Sequence, residues 1–243
     1  MTLFVASSPY IDGADRAVLD PRNGFVDRIR GVLPPNPRAL FICSNPEDHE
    51  GTCRFGADTV AAFALAGMAF SSYHVLDGEN EEDAPYLVAD SDLVILAGGH
   101  VPTQLKFFQK IRLKELLEEY GGTILGISAG SMNMAREVYI QPEEPGESAP
   151  DFQRFAPGLG LVNVAILPHY QKARHYMLDG KRLYEDITYA DSMGKTFFAL
   201  PDGSYFFQDE DGLLLCGRAY RIQNGIIELL TIDEEVLDVK DLI

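Results

Sequence analysis

Short apolar runs alternate along this chain with longer stretches in which apolar residues recur at helical spacing. The runs Thr2–Ala6, Ala39–Ser44, Ser72–Leu76, Leu93–Ala97 and Thr123–Ile127 read as strands. Their near-continuous hydrophobicity is what strands buried on both faces of a parallel sheet require. Between them lie a short helix before Gly31, the segment Asp58–Ala66 with Val60, Phe63, Ala64 and Ala66 at helical spacing, and the helices Gln104–Tyr120 and Ser131–Ala135. An alternating βα series of this kind predicts an α/β fold, with a mostly parallel sheet flanked by helices on both faces.

The rhythm changes after residue 135. Residues 141–157 carry Pro, Glu, Gly and Ser with little periodicity and read as a surface excursion, and Val162–Leu167 reads as an apolar strand closed by Pro168-His169-Tyr170. A helix is expected from Tyr176 to Tyr189. The last third alternates short strands with turn signals at Pro201-Asp202-Gly203, Asp209–Gly212 and Gln223-Asn224-Gly225, which predicts C-terminal β-hairpins appended to the parallel core. No repeat and no linker rich in Pro, Gly or Ser divides the 243 residues, so one domain over 1–243 is expected.

Charge narrows the choice of partner. Lys and Arg number 20 against 37 Asp and Glu, a net charge of −17, which argues against nucleic acid or an anionic membrane surface as a partner. The N-terminus enters a strand without a basic region and no apolar run reaches the length of a membrane span, so a cytoplasmic protein, monomer or homodimer, is expected. Cys43, Cys53 and Cys216 are an odd set without Cys-x-x-Cys spacing and read as buried thiols. The acidic run Gly78–Asp83 lacks the ligand alternation of a calcium loop and reads as a solvated turn. No metal and no organic cofactor is expected.

Chemistry enters at Gly126-Ile127-Ser128-Ala129-Gly130, where a Ser with small neighbours on both sides joins a strand to a helix. Such a sharp turn exposes the hydroxyl and aims the following N–H groups at a developing oxyanion, although the same five-residue pattern also occurs in plain structural turns. The context favours chemistry. Gly98-Gly99-His100 ends the preceding strand, and in a parallel sheet its backbone would face the Ser128 loop, where paired glycines allow the close approach that an oxyanion hole requires. A serine nucleophile needs a base and a group that orients the base. Among five histidines, His74 reads as a core imidazole within a strand, His49 as a loop residue and His175 as the start of a helix, while His100 is a candidate for touching substrate. His169 follows an apolar strand and a Pro at the end where parallel sheets present their functional loops, which makes it the expected base. Asp202, at the end of the run Thr196–Leu200, stands in the same relation to its strand and is the expected orienting acid, despite the turn-forming Pro-Asp-Gly around it.

The order Ser, His, Asp differs from that of the α/β-hydrolases, where His comes last. Taken together, Gly98-Gly99-His100, Gly126–Met132, Leu167-Pro168-His169-Tyr170 and Leu200-Pro201-Asp202-Gly203 resemble the dipeptidase E (aspartyl dipeptidase) family of serine peptidases, relatives of cyanophycinase. The resemblance implies a class I glutamine amidotransferase-like sheet, with Ser128 as nucleophile, His169 as base, and Gly99 and Ala129 as the oxyanion hole. The chain departs from the family's pattern at His100-Val101-Pro102, where Asn commonly follows the glycines, and at Asp202, where Glu often stands. An acid in the loop after the Ser turn, Glu143 or Glu144, is the alternative third member. The activity implied is hydrolysis of small peptides through an acyl-enzyme. Aspartyl dipeptides would need a cation for their side chain, for which Lys172, Arg174 and Arg182 are candidates. A cyanophycinase-like hydrolase of β-aspartyl-arginine polymer and a non-catalytic amidotransferase-like binding module are the rival readings.

Overall fold

In the computed structural model, which describes residues 1–242, the five expected strands are present as β1 (Thr2–Ala6), β2 (Arg38–Ile42), β3 (Ser72–Leu76), β4 (Leu93–Leu96) and β5 (Thr123–Ile127). They pair in parallel in the order β1-β5-β4-β2-β3. The helices between them are α1 (Phe25–Val32), α2 (His49–Leu65), α3 (Ala84–Ala89), α4 (Val101–Lys110), α5 (Leu113–Glu118) and α6 (Ala129–Asn133).

Period-two alternation in the strands divides the core between the two faces of the sheet. Phe4, Ala6, Leu93 and Ile95 pack with Phe25 and Ile29 of α1 and Ala62 and Phe63 of α2 on one face. Leu3, Val5, Val94 and Leu96 pack on the other with Leu87 and Val88 of α3, Phe107 and Phe108 of α4, and Leu113 and Leu117 of α5. Because both faces are covered, β4 and β5 are buried along their whole length.

Beyond α6 come the strands β6 (Glu137–Tyr139), β7 (Phe155–Pro157) and β8 (Ile166–Leu167), helix α7 (Tyr170–Ala173), strands β9 (Met177–Leu178) and β10 (Lys181–Arg182), helix α8 (Tyr189–Asp191) and strand β11 (Thr196–Ala199). The chain ends in β12 (Tyr205–Gln208), β13 (Leu213–Cys216), β14 (Ala219–Gln223), β15 (Ile226–Thr231) and β16 (Val236–Asp238). Strands β12, β13 and β16 extend the large sheet antiparallel from β1 to eight strands, while β15, β14, β11 and β8 form a second sheet of four. The second sheet packs on the α3–α5 face, where Phe198 of β11 meets Phe206 of β12 edge to face.

Several expected elements are corrected. Helix α2 begins at His49, nine residues before Asp58, because the face it buries there is Thr52, Gly56 and Thr59, residues that carry no apolar signal. The expected helix Gln104–Tyr120 is two helices that meet at Arg112, which has φ 54°. The first half of the expected Tyr176–Tyr189 helix is the hairpin β9–β10, turned by Asp179 (φ 51°) and Gly180 (φ 78°), and a π-helical turn over Leu183–Thr188 follows it. His175 therefore follows the short helix α7 rather than opening one. Pro201-Asp202-Gly203 joins strands of two different sheets and makes no hairpin, whereas the hairpins at 209–212 and 223–225 form as expected. His74 is exposed on β3, the edge strand, so no core surrounds it.

Candidate active site

Ser128 leaves β5 at φ 52° and ψ −112°, a conformation that costs an L-residue on the order of 1–3 kcal/mol and must be held by its surroundings. It is held twice. Its N–H donates to the Ala6 and Ser7 carbonyls at the end of β1, both at 3.1 Å, and Ser131 Oγ donates to the same Ala6 carbonyl at 2.8 Å. The small neighbours are required by close approach: a Cβ at Gly130 would lie 2.2 Å from the Leu96 carbonyl oxygen.

His169 follows β8 through Pro168 and also sits at positive φ, 56°. Asp202 follows β11, and since β8 and β11 pair in parallel with Leu167 opposite Ala199, the two loops leave the second sheet side by side. The parallel pairing brings the expected base and the expected acid together. His169 Nδ1 lies 2.6 Å from Asp202 Oδ1, and Nε2 lies 2.9 Å from Ser128 Oγ. With Nδ1–H donating to the carboxylate, the lone pair on Nε2 faces the serine hydroxyl.

Two further residues, absent from the sequence-derived set, complete the acid's surroundings. Ser7, fully buried at the end of β1, donates from Oγ to Asp202 Oδ1 at 3.1 Å and accepts the His169 N–H at 2.8 Å. Gln171 donates from Nε2 to Asp202 Oδ2 at 2.6 Å, and its Oε1 accepts the Asp202 N–H at 3.1 Å. Burial pushes the Asp202 carboxyl up, but the bonds and charge of His169 together with Gln171 and Ser7 outweigh it and hold the group below the usual carboxylate range. Ser7 was legible by the logic that selected His169, since it too directly follows a strand. A hydroxyl after β1 does not announce itself as His or Asp does.

A cleft of about 450 Å³ opens over Ser128 and His169, lined also by Gly99, Ala129, Met132, Glu143, Lys172 and Tyr176. Its size is that of a small-molecule site. Gly99 has φ 153°, and a Cβ there would lie 2.3 Å from Ser44 Oγ, so glycine is what lets this loop pass close to Ser44 at the end of β2. Among the described residues, the Gly99 and Ala129 N–H groups donate to no protein acceptor.

The remaining candidates divide. Lys172 reaches the cleft, with Nζ 2.5 Å from Asp12 and 3.5 Å from Asp202 Oδ2. Arg174 instead lies over the Tyr170 ring and donates to His175, against a different concavity, and Arg182 is tied to Asp186 on the exposed hairpin. His100 turns from the cleft: its Nδ1 meets Thr103 Oγ1 at 2.7 Å and its Nε2 meets Glu147 at 3.3 Å. Glu143 lines the cleft and Glu144 does not, and neither makes a hydrogen bond to His169. His100, Glu144 and Glu147 lie close enough to share a cation, yet both ring nitrogens of His100 are already engaged. Asp77, just before the run read as a solvated turn, is buried and bonded to His49, while Cys43 and Cys216 are buried and Cys53, expected to be buried as well, is only partly so. No helix among the described residues is long and apolar enough to cross a membrane.

Residues 21–215 match the model of peptidase family S51. The chain belongs to that family. It is a serine-type peptidase. The fold of this S51 peptidase is similar to the crystal structure of a "Putative Peptidase E Protein" from Listeria monocytogenes EGD-e, with a TM-score of 0.58 over 95% of this chain and 98% of the other, at 18% identity. No curated protein matches the sequence.

Proposed function

We propose that Ser128 is the nucleophile, His169 the general base and Asp202 the group that orients it, in a cytoplasmic peptidase acting on small peptides without a metal. The reading rests on one observation above all, the continuous contact from Ser128 Oγ through the imidazole to Asp202 at 2.9 and 2.6 Å. His169 Nε2 takes the hydroxyl proton as Oγ attacks the peptide carbonyl, and the imidazolium so formed is stabilised by the ionised Asp202. The developing oxyanion is met by the free N–H groups of Gly99 and Ala129. His169 then protonates the leaving amine, and water resolves the acyl-enzyme by the same route in reverse.

Among the described residues, those lining the cleft include one cation, Lys172, and one anion, Glu143. Lys172 is the group of this site suited to a substrate carboxylate, and Glu143 is suited to a free α-ammonium. If Lys172 meets the side-chain carboxylate of an N-terminal Asp whose α-ammonium meets Glu143, aspartyl dipeptides are the preferred substrate. The net charge of −17 suits the guanidinium groups of a β-aspartyl-arginine polymer instead, as a second reading. The two part in a hydrolysis assay on Asp-Leu, Ala-Leu, Lys-Leu and the polymer. Preference for Asp-Leu, weakened in Lys172→Met through KM, is the expected result; turnover of the polymer alone selects the second reading.

A further inference from the structure

A second nucleophile–base–carboxylate arrangement lies at the start of α2. Asp48 caps this helix, accepting the Gly51 N–H at 2.9 Å, so the first turn is ordered. His49 and Cys53 are one turn apart, and Cys53 Sγ lies 3.4 Å from His49 Nε2. His49 Nδ1 meets Asp77 Oδ2 at 2.7 Å just after β3, and the Asp77 side chain is 1% exposed, with Oδ1 fixed by the Glu79 N–H at 2.9 Å. When Nδ1–H donates to this carboxylate, the Nε2 lone pair faces the thiol, the same relation that His169 has to Ser128.

The arrangement suits chemistry from solvent. The His49 side chain is 48% exposed and Cys53 is partly exposed, whereas Cys43 and Cys216 are both 0% exposed. Burial pushes the Cys43 thiol up to about 12 and that of Cys216 upward as well, so neither competes as a nucleophile. Hydrogen bonding to Asp77 holds the His49 imidazole above its ordinary value, which favours its taking a proton. The charged and titratable groups around the pair are Asp77 and Glu79 from the loop after β3, Tyr73 from β3, and Asp48 and Glu50 from α2 itself. The carboxylates favour the imidazolium, and His49 is the group in contact with the sulfur.

We propose that Cys53 is a reactive thiol, activated by His49 and Asp77, that exchanges with small disulfides such as that of glutathione. The Cys53 proton passes to His49 Nε2, and the sulfur attacks one sulfur of the disulfide. The S–S bond breaks, and the departing thiolate takes the proton from Nε2. Cys53 ends in a mixed disulfide, oxidised, and the small disulfide is reduced to one free thiol. The site is separate from Ser128, and the exchange requires no turnover of peptide.

Alkylation by iodoacetamide at pH 7, with labelled cysteines located by mass spectrometry of a digest, tests the proposal on the whole protein. Wild-type Cys53 is expected to react at least about tenfold faster than glutathione under the same conditions, and His49→Gln to remove that advantage, with Cys43 and Cys216 unlabelled. Incubation with oxidised glutathione should add one glutathione, on Cys53, and none to Cys53→Ser. Wild-type Cys53 reacting no faster than glutathione overturns the proposal without any variant, as does equal reactivity in wild type and His49→Gln.

Discussion

Asp202 is the residue on which the account of the site turns, because a carboxylate with 6% of its side chain exposed is useful only if its neighbours keep it ionised. His169, Ser7 and Gln171 do so. Asp202→Asn should keep the fold and favour the wrong imidazole tautomer, lowering kcat on the order of 10⁴-fold. In the same series Ser7→Ala, which removes a bond to each of His169 and Asp202, should lower kcat roughly tenfold at unchanged KM, as loss of a positioning bond worth about 1–2 kcal/mol does. Glu143→Gln and Glu144→Gln should retain kcat. Steady-state kinetics on one peptide checks all four, and collapse of kcat in either Glu variant with a normal Asp202→Asn would move the third role into the loop. Ser128, His169 and Asp202 were legible as candidates because each lies just beyond an apolar strand and belongs to a residue type with obvious chemistry. The sequence misplaced Arg174, Arg182 and His100, since nearness along the chain says nothing of which side of a loop a long side chain takes, and local partners such as Asp186 and Thr103 decided that instead.

At the scale of elements, two glycines in helical surroundings make opposite demands. Gly31 lies in α1 with nothing within 4 Å of an added Cβ, whereas Gly130 in α6 is pressed against the Leu96 carbonyl. Gly31→Ala should stabilise the protein by about 0.5–1 kcal/mol through helix propensity. Gly130→Ala should destabilise it by about 3 kcal/mol, since backbone must move to admit the methyl group. Urea denaturation of both variants measures the pair, and equal signs would contradict the packing described for the Ser128 turn. The parallel strands were legible throughout, because burial on both faces leaves a continuous apolar run. Helix boundaries were legible only where the buried face is apolar: the start of α2 buries Thr and Gly and so gave no signal. The β9–β10 hairpin carried one in Asp179-Gly180, a pair suited to positive φ, which the apolar spacing of the flanking residues obscured.

For the whole molecule, the second sheet covers part of one face of the large sheet, and the site forms where β1, β5, β8 and β11 all finish. The second sheet therefore does more than close the core, since its β8–β11 pairing brings His169 and Asp202, the proposed base and acid, together. Stability and ionisation of the site are linked for the same reason. The folded Asp202 carboxyl lies below its unfolded value, so its contribution is present above the ordinary carboxylate range, near pH 4, and is lost as pH falls through the lowered folded value. Thermal unfolding followed from about pH 7 down to about pH 3 should fall more steeply in wild type than in Asp202→Asn. Parallel curves would mean that the carboxylate is no better stabilised in the fold than in the unfolded chain.

The central claim is that Ser128 is a nucleophile activated by His169, and labelling tests it most directly. A fluorophosphonate probe should modify the protein once, and mass spectrometry of a digest should place the adduct on Ser128. The adduct should be absent from Ser128→Ala, which should also lose peptide hydrolysis while keeping its melting temperature. An adduct on another residue, or full turnover by Ser128→Ala, would contradict the account.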